Sequence, residues 1–163
     1  MENKIIEVQG SPKIQAIIDK ARRENIYVAE LDGLNIHDVE DFLVAIEEGF
    51  QFPVAIDRGL FERIGVIQDM YHFEWLKEYD GYMLVINNYN ELMKGQKNAN
   101  RTKNFIIYEC IGMYITLWNE DKKKTWLPTK YTETVFGISY GPVAPENHSF
   151  GSRRKQFNVY LVD

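Results

Sequence analysis

Residues 82–88 read YMLVINN, with five apolar side chains in unbroken succession from Tyr82 to Ile86. A strand with one wet face alternates apolar and polar residues. This one does not, so it reads as a strand buried on both sides, as in a parallel sheet covered by helices. Asp80-Gly81 before it and Asn87-Asn88 after it are turn chemistry, which keeps the run too short for a buried helix.

Working outward, three further stretches read as strands: KIIEVQG (4–10), IYVAEL (26–31), closed by Asp32-Gly33, and FNVYLVD (157–163). Between the first two, Ser11 offers a helix cap and Pro12 a first-turn proline, and Ile14, Ile17, Ile18 and Ala21 recur at helical spacing. A second helix starts at Asn35 or at His37-Asp38, His37 being placed as its cap. It carries the stripe Val39, Phe42, Leu43, Ile46, is predicted to end at Gly49, and cannot pass Phe52-Pro53. Residues 60–78 read as one helix with a ridge of Leu60, Ile64, Ile67, Tyr71 and Trp75. YNELM (89–93) reads as one helical turn, GQKNANRTKN (95–104) as a surface connection, and residues 105–118 as a buried helix on grounds of length. Residues 121–155 hold three of the five prolines and read as an irregular insertion, with a hairpin around Thr134 to Tyr140. Strands separated by helices define the fold class as α/β, a small parallel sheet of three to four strands packed with helices. The chain is expected to form a single domain over 1–163, with residues 1–25 an N-terminal extension.

A chain of 163 residues with 45% hydrophobic and 26% charged residues suits one globular domain. No apolar run approaches membrane-spanning length, and MENKIIEVQGSPK lacks the layout of a signal peptide. Cys110 is the only cysteine, so no internal disulfide and no cysteine-rich metal site are expected, and its apolar setting predicts a buried, inert thiol. These features together predict a cytoplasmic protein without a membrane partner. The net charge of −5 is unevenly spread: residues 30–80 hold 13 acids and 3 bases, whereas residues 81–163 hold 7 acids and 11 bases. A concentrated negative field steers basic partners in and keeps nucleic acid away.

Catalytic signatures are sparse. There is no glycine-rich phosphate loop. GISYG (137–141) matches a nucleophile elbow on paper, but Pro142 and Pro145 block the helix such an elbow requires. His37, His72 and His148 are far apart, so no metal site is expected. The pairs Glu40/Asp41, Glu47/Glu48 and Glu74/Glu78 read as solvated helix faces, and Asp69, among Ile67, Met70 and Tyr71, as partly desolvated. Lys122-Lys123-Lys124 and Arg153-Arg154-Lys155 read as solvated loop charges. Two alternatives stay open: a small hydrolase using Ser139 or an Asp69/Glu74 pair, and an adaptor meeting an acidic partner or RNA through residues 121–155.

IYVAELDGLNIHDVEDFLVAIEEGFQFP, a following helix with Asp69 and Trp75-Leu76, YMLVINNYNELM, the 105–118 helix and the terminal FNVYLVD together resemble the barstar family of bacterial ribonuclease inhibitors. The resemblance covers roughly residues 26–120 and 156–163. It implies a three-stranded parallel sheet, widened here by the extra KIIEVQG strand, and an immunity or toxin–antitoxin role rather than catalysis. It also implies an inhibitory second helix whose carboxylates occupy a ribonuclease's phosphate positions. Aligning its landmarks sets Asp69 at the family's second aspartate, Gly65 at the first and Arg63 at an asparagine. The loop VAIDRGLF (54–61) is longer than the family's, and 121–155 has no counterpart there. The expected partner is a protein toxin or basic nuclease, the chain being a monomer or part of a 1:1 complex, with no direct nucleic-acid contact and no cofactor. The expected contact residues are Asp57, Glu62, Asp69, Tyr71, His72, Glu74 and Trp75, with Tyr79 as a further exposed aromatic.

Overall fold

In a computed structural model that describes residues 3–117 and 155–163, the doubly buried strand lies where its sequence requires. β3 (Gly81–Asn87) is an inner strand of a four-stranded, wholly parallel sheet. The order is β1 (Ile5–Val8), β4 (Gln156–Val162), β3, β2 (Ile26–Asp32). The extra N-terminal strand widens the sheet at the β4 edge, with Ile5 opposite Val159.

Alternation along each strand divides the core in two. Tyr82, Leu84 and Ile86 of β3 join Ala29 and Leu31 of β2 and Phe157, Val159 and Leu161 of β4 in the larger core. Met83, Val85, Val8 and Val162 point to the other face, where Ile14, Ile18 and Ala21 of α1 (Ser11–Arg23) cover them. Since β1 and β2 are opposite edges, α1 carries the chain across the whole sheet. Its cap is Gly10, at φ 91°, and not Ser11, which already lies in the helix; only glycine takes that backbone angle without strain.

The larger face is covered by α2 (Val39–Phe50), α3 (Leu60–Gly65), and a helix that runs unbroken through α4 (Ala99–Asn104), a π-helical stretch (Phe105–Ile111) and α5 (Gly112–Leu117). The polar connection expected at 95–104 is therefore shorter, because ANRTKN supplies the opening turns of this helix. Cys110 is buried within it, and burial raises its thiol pKa.

Asp38 caps α2 by accepting from the Asp41 N–H at 2.8 Å, while Asp41 accepts the His37 N–H at 2.9 Å. His37 is thus not the cap; it contributes a backbone donor to a reciprocal pair. Gly49 does not end α2 either. The helix runs to Phe50, and Gln51 turns left-handed at φ 61° while Phe52 N–H reaches back to Glu47 O at 2.7 Å. Gly49 is needed for contact instead: a Cβ there would lie 3.3 Å from both Ala29 and Leu31 of β2.

The single helix expected over 60–78 is replaced by α3, a 3-10 segment (Val66–His72) and turns. The residues that reach the core are Ile64, Ile67, Met70 and Leu76, with half-buried Phe73 packed against them. Their spacing is three, and 3-10 winding stacks every third side chain on one face. An α-helix would have turned Met70 and Phe73 away from that face.

On the long helix, Lys103 is buried and donates to Tyr89 O at 3.1 Å, its ammonium 4.4 Å from the Tyr89 ring centre. The Tyr89 hydroxyl is buried with no hydrogen-bond partner among the described residues. Burial pushes its pKa up to about 12, and burial together with the bond to Glu7 does the same for Tyr108. Unfolded tyrosines ionise near pH 10, so between about 10 and 12 the folded chain holds more protons and stability falls as pH rises. Urea midpoints taken across that window should drop, and Tyr89→Phe should make the drop shallower.

Candidate partner-binding face

The acidic stretch that connects α2 to β3 is built on a buried ion-pair cluster. Arg63 of α3 has a side chain only 2% exposed, and Glu47 of α2 one only 3% exposed. Arg63 Nε donates to Glu47 Oε1 at 3.1 Å and Nη2 donates to the same oxygen. Nη1 donates to both Glu40 oxygens, at 2.9 Å to Oε1. The other Glu47 oxygen accepts the Ala55 N–H at 3.0 Å. The Glu47 carboxylate holds the Arg63 guanidinium above its usual pKa range. α2, α3 and the intervening loop are therefore fastened at one point.

Glu47 is thus not a member of a solvated pair as its sequence suggests, whereas Glu40, 46% exposed, keeps its contact with water while it accepts from Arg63. Glu47 falls at an inward position beside Leu43, Ile46 and Phe50, spaced four, one and three residues away. A carboxylate inside an apolar stripe was the readable signal that a buried cation faces it.

Over this platform lies a cleft of about 400 Å³ lined by Asp57, Arg58, Glu62, Arg63, Val66 and Phe73, among others. Val54, Ile56 and Phe61 stand exposed beside it, Ile56 by 70% and Phe61 by 62%. These three large apolar groups on one loop and the adjoining turn were not singled out from the sequence. They fall off the core ridge, and only the backbone path shows that nothing among the described residues covers them fully.

The expected contact residues divide. Asp57 and Glu62 both line the cleft, with Arg58 3.9 Å from Glu62. Asp69 and His72 are exposed on the 3-10 segment, so the expected desolvation of Asp69 is not found: its apolar neighbours Ile67 and Met70 point into the core and leave it outside. Glu74 is exposed and paired with Lys77 at 2.9 Å. Trp75 is 40% exposed, stacks on Phe73 at 4.8 Å, and donates its indole N–H to Phe50 O at 3.0 Å, a carbonyl at the end of α2. Phe73 in turn packs on Phe52 at 5.5 Å. Trp75 is therefore a fixed rim group and not a ridge residue. Tyr79 is half-buried, edge-on to Tyr27 at 5.1 Å, and not the exposed aromatic expected. The Tyr71 side chain lies outside the described part of the structure, as do the 121–154 insertion, the hairpin, GISYG, His148 and the basic clusters up to Arg154.

No protein-family model, curated protein or solved structure matches this chain. Arg63 is interior, and a Cβ on Gly65 would lie 3.4 Å from the Tyr114 hydroxyl, directed at the long helix and away from solvent. Among the described residues no group of three His, Cys, Asp or Glu side chains is placed to hold a metal, and no helix is long and apolar enough to cross a membrane.

Proposed function

We propose that this chain is a barstar-like inhibitor or immunity protein that blocks a toxin, a basic nuclease, through the face around the Asp57/Glu62 cleft. It acts as a binder and not as an enzyme. The observation that carries the reading is the exposed trio Val54, Ile56 and Phe61 beside Asp57 and Glu62 on a platform locked by Arg63–Glu47. Apolar anchors inside a charged frame are the composition of interface hot spots, and the surrounding carboxylates would speed encounter with a basic cleft. With Arg63 buried against two glutamates, that cation does not offset the exposed carboxylates. Because positions 63 and 65 differ from the barstar pattern, the contacts would be centred on the 54–62 loop.

The test is co-purification of the tagged chain with the product of the adjoining upstream gene, with nuclease activity assayed with and without the chain. A basic nuclease should be retained and silenced; retention of no basic enzyme would overturn the reading. In that complex, Phe61→Ala should weaken binding roughly 30-fold or more, the loss of about 2 kcal/mol typical of an anchor. Lys20→Ala, on exposed α1, should leave binding unchanged.

A further inference from the structure

The two edges of the sheet are unequal. β1 has four residues, whereas β2 has seven and pairs with β3 in continuous register from Ile26 to Asp32. Among the described residues β3 is the only strand bonded to β2, so one side of the β2 backbone is unpaired by any strand. Edge strands are normally blunted by shortness, proline, lysine or a bulge. β1 is short; IYVAELD has no proline, lysine or bulge, and its only edge charges are the acids Glu30 and Asp32, which would repel an acidic strand and not a basic one.

A groove of about 570 Å³ lies at the C-terminal end of this edge. Its strand side is formed by the consecutive residues Glu30, Leu31 and Asp32, and its helix side includes Asp41, Ala45 and Glu48 of α2. Leu31 is buried towards α2, while Glu30 points to the other face and meets Arg22 of α1 at 3.1 Å. A groove that touches residues of both faces in succession opens on the backbone edge itself. Four carboxylates line it and no lysine or arginine does. Asp32 and Asp41 each accept a backbone N–H, from Leu34 and His37, which leaves acceptor capacity on both. A carboxylate-lined groove beside an unblunted strand edge suits an extended segment whose side chains are cationic.

We propose that the outer edge of β2 takes a basic, extended segment of a partner protein as an added strand, with its lysines or arginines set among Glu30, Asp32, Asp41 and Glu48. Backbone pairing would supply affinity and the groove carboxylates the preference for basic sequence. This surface is separate from the Asp57/Glu62 cleft, and neither requires the other.

The probe is a blocked octapeptide of alternating lysine and valine, titrated into the full chain and followed through backbone amide shifts. Two versions, each N-methylated along one edge, separate strand pairing from charge attraction. Saturable binding with shifts at Ile26–Asp32 is expected, retained by one methylated version and lost with the other. Glu30→Lys with Glu48→Lys should weaken it roughly tenfold. The proposal is overturned if both methylated peptides bind equally, if the shifts fall around Asp57 and Glu62, if the edge instead pairs with a second copy of the chain, or if no saturable binding appears up to about 1 mM peptide.

Discussion

Replacing Arg63 by methionine is expected to lower the unfolding free energy by about 3–5 kcal/mol, because it leaves the Glu47 carboxylate buried without its cation. The side chain removed is 2% exposed and the one stranded is 3% exposed. Glu40, 46% exposed, can turn to water and adds less to the cost. The double variant Arg63→Met/Glu47→Met should recover much of the loss, since two apolar groups of similar volume need no compensation. Arg58→Met, which touches only the solvent-exposed 3.9 Å pair with Glu62, should change stability by less than about 1 kcal/mol. Urea denaturation of the four proteins at neutral pH reads all of this. A cost below about 1 kcal/mol for Arg63→Met would mean the cluster is not dry. Glu47 also holds the Ala55 N–H, so the double variant, which removes that acceptor, should lose amide protection at Ala55 and fall somewhat short of full recovery.

The same cluster shows where sequence reading succeeds and where it stops. β3 was legible because burial on both faces leaves no polar position to confuse the period. β2 and β4 followed from composition, and the long helix from the length of its apolar run. What failed was local winding. Residues 60–76 carry spacings of three and of four at once, and only their packing into the core they share with Phe50, Phe52 and Tyr114 selects the former. Gly49 looked like a terminator because glycine often is one, yet its role is contact with β2, while Gln51 takes the left-handed turn. Charges were hardest. Arg63 and Glu47 are 16 residues apart, so their pairing is set by how α2 meets α3, which no periodicity encodes. The net acidity of 30–80 was readable, but which acids face water was not: Glu47 is interior, Asp69 exposed.

A face that binds by exposed apolar groups must keep them from collapsing inward. Val54 and Ile56 belong to a loop closed at Ala55 by Glu47, and Phe61 packs edge-on to Phe105 at 6.1 Å. Pre-ordering of this kind reduces the entropy lost on association. Trp75, held by the Phe50 carbonyl, is fixed against Phe73, a residue of the cleft lining. In the proposed complex the ion pair would therefore act through geometry, as the floor of the cleft that positions the exposed groups.

Gly33→Ala should destabilise the fold by about 3 kcal/mol, through overpacking against backbone that has no room to yield. A Cβ at that position would sit 2.3 Å from Asn88 O, 3.0 Å from Asn88 C and 3.1 Å from Asn87 O. These atoms belong to the exit of β3, where Asn88 already adopts φ 52°. Relief requires the ends of β2 and β3 to part. That motion would strain the Asn88-to-Asp32 side-chain bond of 2.9 Å and the Met93 N–H to Ile36 O bond of 2.9 Å together. Gly95→Ala is the matched control: nothing lies within 4 Å of its Cβ, and the change should stay within about 0.5 kcal/mol. If Gly33→Ala unfolds at the same urea concentration as Gly95→Ala, the two strand ends do not meet as closely as drawn. If it is destabilised but folded, splaying should be greatest at Asp32, the end of β2 that lines the edge groove. Octapeptide binding there should then weaken while partner binding at the Asp57/Glu62 cleft is kept, because Gly33 is remote from the Arg63–Glu47 platform in the chain and bonds to none of it.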